Sequence, residues 1–195
     1  WLSLSVEKKV STFLSVELSQ EFRFYENISE VGTAFSQAEF QYKIFRELRM
    51  GGEYRFIQSK RLDDTYRIRH RYAFFIIYIF DLNRFSIRIR EKFQSRYTQI
   101  NSSEGGNIPK DILRSRLTVN YDLRKRYSPF VAGELYLQLN NPIGNEIEKL
   151  RYKAGIDYEV NKHHSLTLAY LIDKEVNQNK PRTDYVFDIG YNFSF

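Results

Sequence analysis

The chain has 195 residues, with 30 lysines and arginines against 24 aspartates and glutamates, 16% aromatic residues and a mean hydropathy of −0.53. That length holds one or two domains, and 9 glycines with 4 prolines are too few for a fibrous or low-complexity chain. The lack of cysteine excludes disulfide scaffolds, cysteine-ligated zinc and thiol catalysis, and the longest apolar run, Tyr72 to Phe80, is less than half of the roughly 20 residues that a membrane-spanning helix needs.

Trp1 follows no basic n-region and no apolar stretch, so the chain reads as processed or trimmed, which is compatible with export. From there the dominant signal is alternation of apolar and polar residues, the mark of strands with one face of each kind. Leu2, Leu4 and Val6 begin it; Leu14 to Phe24 and Ala38 to Ile44 continue it. It recurs through Leu48 to Phe56, Tyr66 to Phe80, Phe85 to Tyr97, Leu113 to Leu123, Val131 to Leu139, Leu150 to Val160, Leu166 to Ile172 and Tyr185 to Phe195. These are about eleven strands, many longer than the 5 or 6 residues usual in globular sheets.

Alternation alone does not say whether the apolar face meets a core or lipid, so a secreted β-sandwich or lipocalin-like barrel is weighed against a membrane barrel. Three features favour lipid. The polar parity collects nearly all the mid-strand charges, and its opposite holds one clear acid, Glu91, and one histidine, His70; a cation facing the bilayer midplane costs about 2 to 4 kcal/mol. Connections alternate between tight ones near Lys8, Arg46, Asn83, Lys125 and Lys162 and longer ones at 27–35, 58–64, 99–110, 140–147 and 176–183. Aromatic residues such as Tyr25, Tyr54, Tyr97, Tyr127 and Tyr158 sit at strand ends, where amphipathic rings suit a membrane interface.

The last eleven residues, Tyr185-Val-Phe-Asp-Ile-Gly-Tyr-Asn-Phe-Ser-Phe195, alternate aromatics and stop on phenylalanine. This resembles the C-terminal strand of bacterial outer-membrane proteins. The resemblance implies that Tyr191, Phe193 and Phe195 form the signal read by the barrel assembly machinery. Further stretches, among them Trp1-Leu-Ser-Leu-Ser-Val-Glu-Lys-Lys, Arg69-His-Arg-Tyr72, Arg151-Tyr-Lys-Ala-Gly-Ile-Asp-Tyr158 and Asn161-Lys-His-His-Ser-Leu166, are similar to a Bacteroidetes outer-membrane β-barrel family classed as a domain of unknown function. That resemblance spans essentially the whole chain. It implies a barrel and an address in the bacterial outer membrane, with no activity or catalytic residues.

The expected architecture is therefore all-β, a single transmembrane up-and-down antiparallel barrel over residues 1–195. With Phe195 periplasmic, every tight turn is periplasmic and Trp1 begins at the outer surface. Because single-chain bacterial barrels have even strand numbers, about twelve strands are expected, with one N-terminal strand missing from this sequence; ten is the alternative.

No catalytic constellation stands out, and the chain is read as a non-enzyme. His163 and Ser165 share a face as in an outer-membrane phospholipase, but the continuing Asn-Gly is replaced by Leu166 and Thr167, and no third group orients the base. An outer-membrane lipid hydrolase stays the second alternative. His70, among Ile68, Tyr72 and Phe74, reads as an interfacial side chain; Asp63, Asp64 and Glu104 suggest at most a weak calcium loop, with a solvated loop the plainer reading. Gly105-Gly106 lacks a phosphate loop's context. No metal or cofactor is expected.

The informative pattern is charge on the lumen face. Arg67, Arg69, Arg71, Arg88, Arg90, Lys92, Arg96, Arg114 and Arg116 form a basic wall opposed locally by Asp122 alone, while Arg151 and the acids Glu17, Glu21, Glu134, Asp157, Glu159, Asp173, Glu175, Asp184 and Asp188 come from strands that curl round to face it. Enclosed guanidinium groups need partners, so cross-lumen pairing and a largely plugged lumen are expected. The alternative is a narrow small-solute channel with a transverse field. Basic residues enclosed in this way do not make a nucleic-acid surface. The expected partners are outer-membrane lipid and other envelope proteins, the barrel serving as a structural or accessory subunit.

Overall fold

The computed structural model describes residues 1–25, 29–61, 65–97, 109–123, 125–142 and 144–195. Among these residues, eleven strands follow one another along the chain: β1 (Leu2–Lys9), β2 (Leu14–Tyr25), β3 (Glu30–Lys43), β4 (Leu48–Lys60), β5 (Tyr66–Leu82), β6 (Phe85–Tyr97), β7 (Lys110–Tyr121), β8 (Tyr127–Gln138), β9 (Glu146–Glu159), β10 (His164–Glu175) and β11 (Thr183–Ser194). Each pairs with its sequence neighbours, and β1 closes the barrel on β11. Apart from β1, every strand has 12 or more residues, enough for the 9 to 11 that cross a bilayer on a tilt.

The expected twelve strands, or ten, rested on all-antiparallel closure, and here the closure differs. β1 runs parallel to β11, with Leu2 opposite Ile189 and Glu7 opposite Ser194, so eleven strands form a closed sheet. An even number is required only when every neighbour is antiparallel; one parallel seam removes the requirement. The backbone fastens this seam at one end, where the Phe195 amide donates to Glu7 and the Lys9 amide donates to the Phe195 carbonyl, both at 3.0 Å.

Two predicted connections are shorter than the sequence suggests. β3 begins at Glu30 and β9 at Glu146, inside the loops expected over 27–35 and 140–147. In β3 the outward Ala34 and the buried Gly32, which lines the lumen cavity, are too small to register as an apolar face, while Thr33 and Phe35 are buried on the inner side. The five tight turns and the carboxyl end gather at one end of the barrel, as the Ser194 amide bonding to the His163 carbonyl and the Asp122 amide to Arg84 illustrate. Asn83, in the shortest hairpin, takes a left-handed φ of 54°, a conformation that asparagine tolerates better than most side chains.

The distribution of side chains is inverted relative to a water-soluble fold. Among the described residues, thirty-five large apolar or tyrosine side chains are exposed, including Phe187 at 76%, Phe74 and Tyr185 at 67% and Leu168 at 61%, against ten buried hydrophobic residues. Strand β5 shows the pattern most cleanly: Arg71, Ala73, Phe75 and Ile77 are buried inside, and Tyr72, Phe74, Ile76 and Tyr78 stand outside. Each ring or branched side chain withdrawn from water contributes about 1.5 to 3 kcal/mol, so such a surface requires an apolar solvent.

Gly51 marks where β4 passes beneath a lumen ring. A methyl group there would overlap the Phe40 carbonyl oxygen and the Phe75 ring, so only glycine lets that ring lie against the wall.

Candidate functional site

The lumen holds a cavity of about 690 Å³ lined, among the described residues, by thirteen basic and seven acidic side chains. Its wall runs from Arg90, Arg116 and Asp188 within the strands to Tyr25, Lys60 and Arg96 beside the longer connections. Beyond its lining, Phe75, Ile77 and Phe130 also point inward and are buried, so apolar side chains fill part of the interior. The polar and apolar fillings both follow from period-two strands whose inner positions are not uniformly charged.

Three ion-pair clusters organise the cavity. Glu53 on β4 is the most enclosed carboxylate: Arg71 Nη2 on β5 donates to its Oε1 at 2.9 Å, and Lys92 Nζ on β6 donates to its Oε2. On β7, Arg114 donates through Nε and Nη2 to Glu134 Oε1 at 3.1 and 2.7 Å and through Nη1 to Gln94 at 3.2 Å. Tyr136 adds its hydroxyl to Glu134 Oε2 at 3.0 Å, and its ring lies 4.5 Å from the Arg114 guanidinium. On β9, Arg151 donates through Nε and Nη2 to the two oxygens of Asp173 on β10, at 3.2 and 2.7 Å, with Lys149 adding a third bond at 3.1 Å. Such two-pronged geometry is what fixes a guanidinium against a carboxylate.

Smaller contacts complete the ring. Glu21 joins Arg23 at 2.7 Å and Arg55 at 3.4 Å, and Lys153 reaches Asp188 at 2.7 Å. The Trp1 indole lies between two cations, 3.7 Å from the Arg23 guanidinium and 5.2 Å from that of Arg151. Cation–π contacts of this kind contribute roughly 0.5 to 2 kcal/mol each.

Of the lumen residues read from sequence, Glu17, Glu21, Arg69, Arg71, Arg90, Arg96, Arg114, Arg116, Glu134, Arg151 and Asp188 line the cavity together. Arg67 and Arg88 are exposed and lie outside it, and Asp157 accepts a hydrogen bond from Thr167 at 2.5 Å. The expected cross-lumen pairing is corrected. Ion pairs join residues of one strand, as in Arg23–Glu21, or of strands that are adjacent or one strand apart, as in Arg71–Glu53 and Lys153–Asp188. Lumen charges meet along the wall because register sets neighbouring side chains only about 4.5 to 5.5 Å apart.

The expectation that Asp122 alone opposes the basic wall fails for the same reason. Glu53 comes from β4, next to the wall, whereas Asp122 lies past the end of β7 and is exposed. Lys92 and Asp173, expected in the lumen, and Glu53, expected on the polar face, prove central; Lys149 and Tyr136, which the sequence reading does not single out, join them, and the usable signal was their inward parity. No carboxylate lies within 4 Å of Arg69, Arg90, Arg96 or Arg116 among the described residues.

The other residues singled out in the sequence have ordinary settings. His163 Nδ1 meets the Ser194 carbonyl oxygen at 2.8 Å, engaging the imidazole with the backbone. His70 Nδ1 lies 2.8 Å from the Tyr54 hydroxyl within an outward aromatic cluster that includes Phe56 and Tyr72. Glu91 faces outward and accepts from the Ser115 hydroxyl at 2.6 Å. Tyr191, Phe193 and Phe195 stand together at the turn end, Tyr191 meeting His164 Nδ1 at 2.5 Å and Phe193 stacking on Phe195 at 5.6 Å. Asp63, Asp64, Glu104 and Gly105-Gly106 lie outside the described residues. Among the described residues, no group of three or more potential ligands is placed to hold a metal ion.

The profile of a family described as "Protein of unknown function (DUF2490)" matches residues 1–184. A comparison with curated proteins finds no match. Among solved structures, the chain is similar to the β domain of the Bordetella autotransporter Brka, with a TM-score of 0.54 and 13% identity over 93% of this chain and 82% of that one. At that identity the likeness establishes the fold: an outer-membrane-type β-barrel.

Proposed function

The chain belongs to the family described as "Protein of unknown function (DUF2490)", and from that premise we propose that it is an integral barrel of the bacterial outer membrane, with a lumen closed by its own side chains, acting as a structural or accessory subunit of an envelope assembly. The observation that carries this reading is the inversion itself: rings such as Phe74 and Phe187 outside, and Glu53, Lys92 and Arg114 inside. An outward Glu91 midway along β6 supports a lateral partner, since a carboxylate facing lipid is disfavoured unless another protein covers it. The test is fractionation of native membranes followed by planar-bilayer recording of the purified barrel. Recovery with the outer membrane and a conductance near zero are expected; recovery in the soluble fraction overturns the location.

A second reading, a narrow small-solute channel, is favoured by the cavity of about 690 Å³ and its excess of cations. Steady anion-selective conductance of the wild-type barrel would establish it in place of the closed lumen. The address also has its own test. Removing Phe195 should lower delivery to the outer membrane far more than it lowers the stability of barrel that does assemble, because the ring is 52% exposed and meets Phe193 and Lys8 at the seam. Normal surface levels of the shortened protein would overturn Phe195 as an assembly signal.

A further inference from the structure

We infer that the lumen cavity is a binding site for a small multivalent oxyanion, a phosphate or a phosphorylated solute, held between Arg90 on β6 and Arg116 on β7. These two residues are directly opposite in register, and both line the cavity. Neither has a carboxylate within ion-pair distance: the nearest in-register acid, Glu134 opposite Arg116, gives its oxygens to Arg114 and Tyr136. Two guanidinium groups side by side in an enclosed space repel one another unless an anion lies between them, and their planar forks match phosphoryl oxygens.

Three further observations point the same way. Arg69 and Arg96 line the same cavity toward the longer connections and also lack an acidic partner, giving an incoming anion a cationic path. Two lining carboxylates, Glu17 and Glu39, have no cation within 4 Å among the described residues; they sit on β2 and β3, three to five strands round the barrel from β6 and β7. They repel an anion from their side and leave the arginine wall as its seat. Thirteen cations against seven acids give the cavity a net attraction for anions that the paired clusters do not consume.

The phosphoryl group could belong to a free solute or to a lipid headgroup. The site lies inside the barrel, behind strands whose outer faces meet the membrane, so the solute is the ligand inferred. The experiment is isothermal titration of the intact barrel with inorganic pyrophosphate, in non-ionic detergent free of phospholipid and at constant ionic strength. Saturable one-to-one binding is expected, weakened about tenfold in Arg90→Gln and in Arg116→Gln and unchanged in Arg182→Gln, whose exposed pair with Asp184 lies outside the cavity. Arg90→Lys and Arg116→Lys keep the charge should a glutamine variant misfold, and they should bind more weakly than wild type by losing the fork. Trp1, the single tryptophan, lines the cavity, so pyrophosphate should also protect its fluorescence from quenching by iodide. Absence of binding at millimolar pyrophosphate, or equal binding by wild type and both glutamine variants, overturns the site. Binding only of a lysophospholipid, with none of pyrophosphate, overturns the solute. None of these results depends on whether the barrel conducts, so the site and the closed-lumen reading fail separately.

Discussion

On β6 and β7, two rows of cations stand two residues apart on the same lumen face, and they are treated differently by their surroundings. Lys92 and Arg114 are each drawn sideways to a carboxylate, Glu53 in one direction and Glu134 in the other. Arg90 and Arg116 face each other with no such partner. The first row has the character of a structural core built from charge. The second has the character of a site, because an enclosed charge that the fold does not neutralise is available to a ligand.

The largest expected effect tests the first row. Glu53→Gln strands both Arg71 and Lys92 in a part of the lumen where the carboxylate side chain has no exposure and the two cations have 10% and 4%. Breaking a buried pair by removing one partner costs about 3 to 5 kcal/mol, and here one substitution breaks two. Its unfolding midpoint in detergent should fall below that of any other single lumen variant. An unchanged midpoint would mean that water already screens the cluster and that the lumen is open.

Glu134→Gln should cost less, about 2 to 3 kcal/mol, because Arg114 keeps its bond to Gln94 and stays over the Tyr136 ring. Asp173→Asn should cost less again, about 1 to 2 kcal/mol, since Lys149 and Arg151 are 26% and 15% exposed and water can replace part of what they lose. The order Glu53, Glu134, Asp173, read from chemical unfolding of the three variants, checks the ranking by enclosure. Any other order would show that burial is not what sets the strength of these pairs.

The difference between the two rows was only half legible in the sequence. Parity along one strand reveals which side chains enter the lumen, so Arg90 and Lys92 are equally visible there. What separates them is the registration of β4 against β5 and of β7 against β8, which places Glu53 and Glu134 within reach of one row. No single strand carries that information. The parallel seam escaped for the same reason: the pattern of β1 is that of an ordinary strand, and its direction relative to β11 follows from closure of the whole ring. In β3 the small Gly32 and Ala34 concealed a strand whose inner residues, Thr33 and Phe35, were plain. The outward apolar face, by contrast, is dense enough on β5 and β11 for periodicity alone to set its orientation.

The smallest expected change in stability belongs to the second row and separates it most sharply from the first. Arg116→Gln removes a charge whose opposite neighbour is Arg90 and whose in-register acid is already engaged by Arg114. No carboxylate is stranded by the substitution, and a like-charge contact is relieved. With no anion present the unfolding midpoint should stay within about 0.5 kcal/mol of wild type or rise slightly. The same variant measured in pyrophosphate should lag behind wild type, because a ligand that binds only the folded barrel stabilises it by RT ln(1 + [L]/Kd), which shrinks as Kd rises. A large loss of stability in anion-free detergent would place Arg116 with Arg114 in the structural core, and the distinction between the two rows would then collapse.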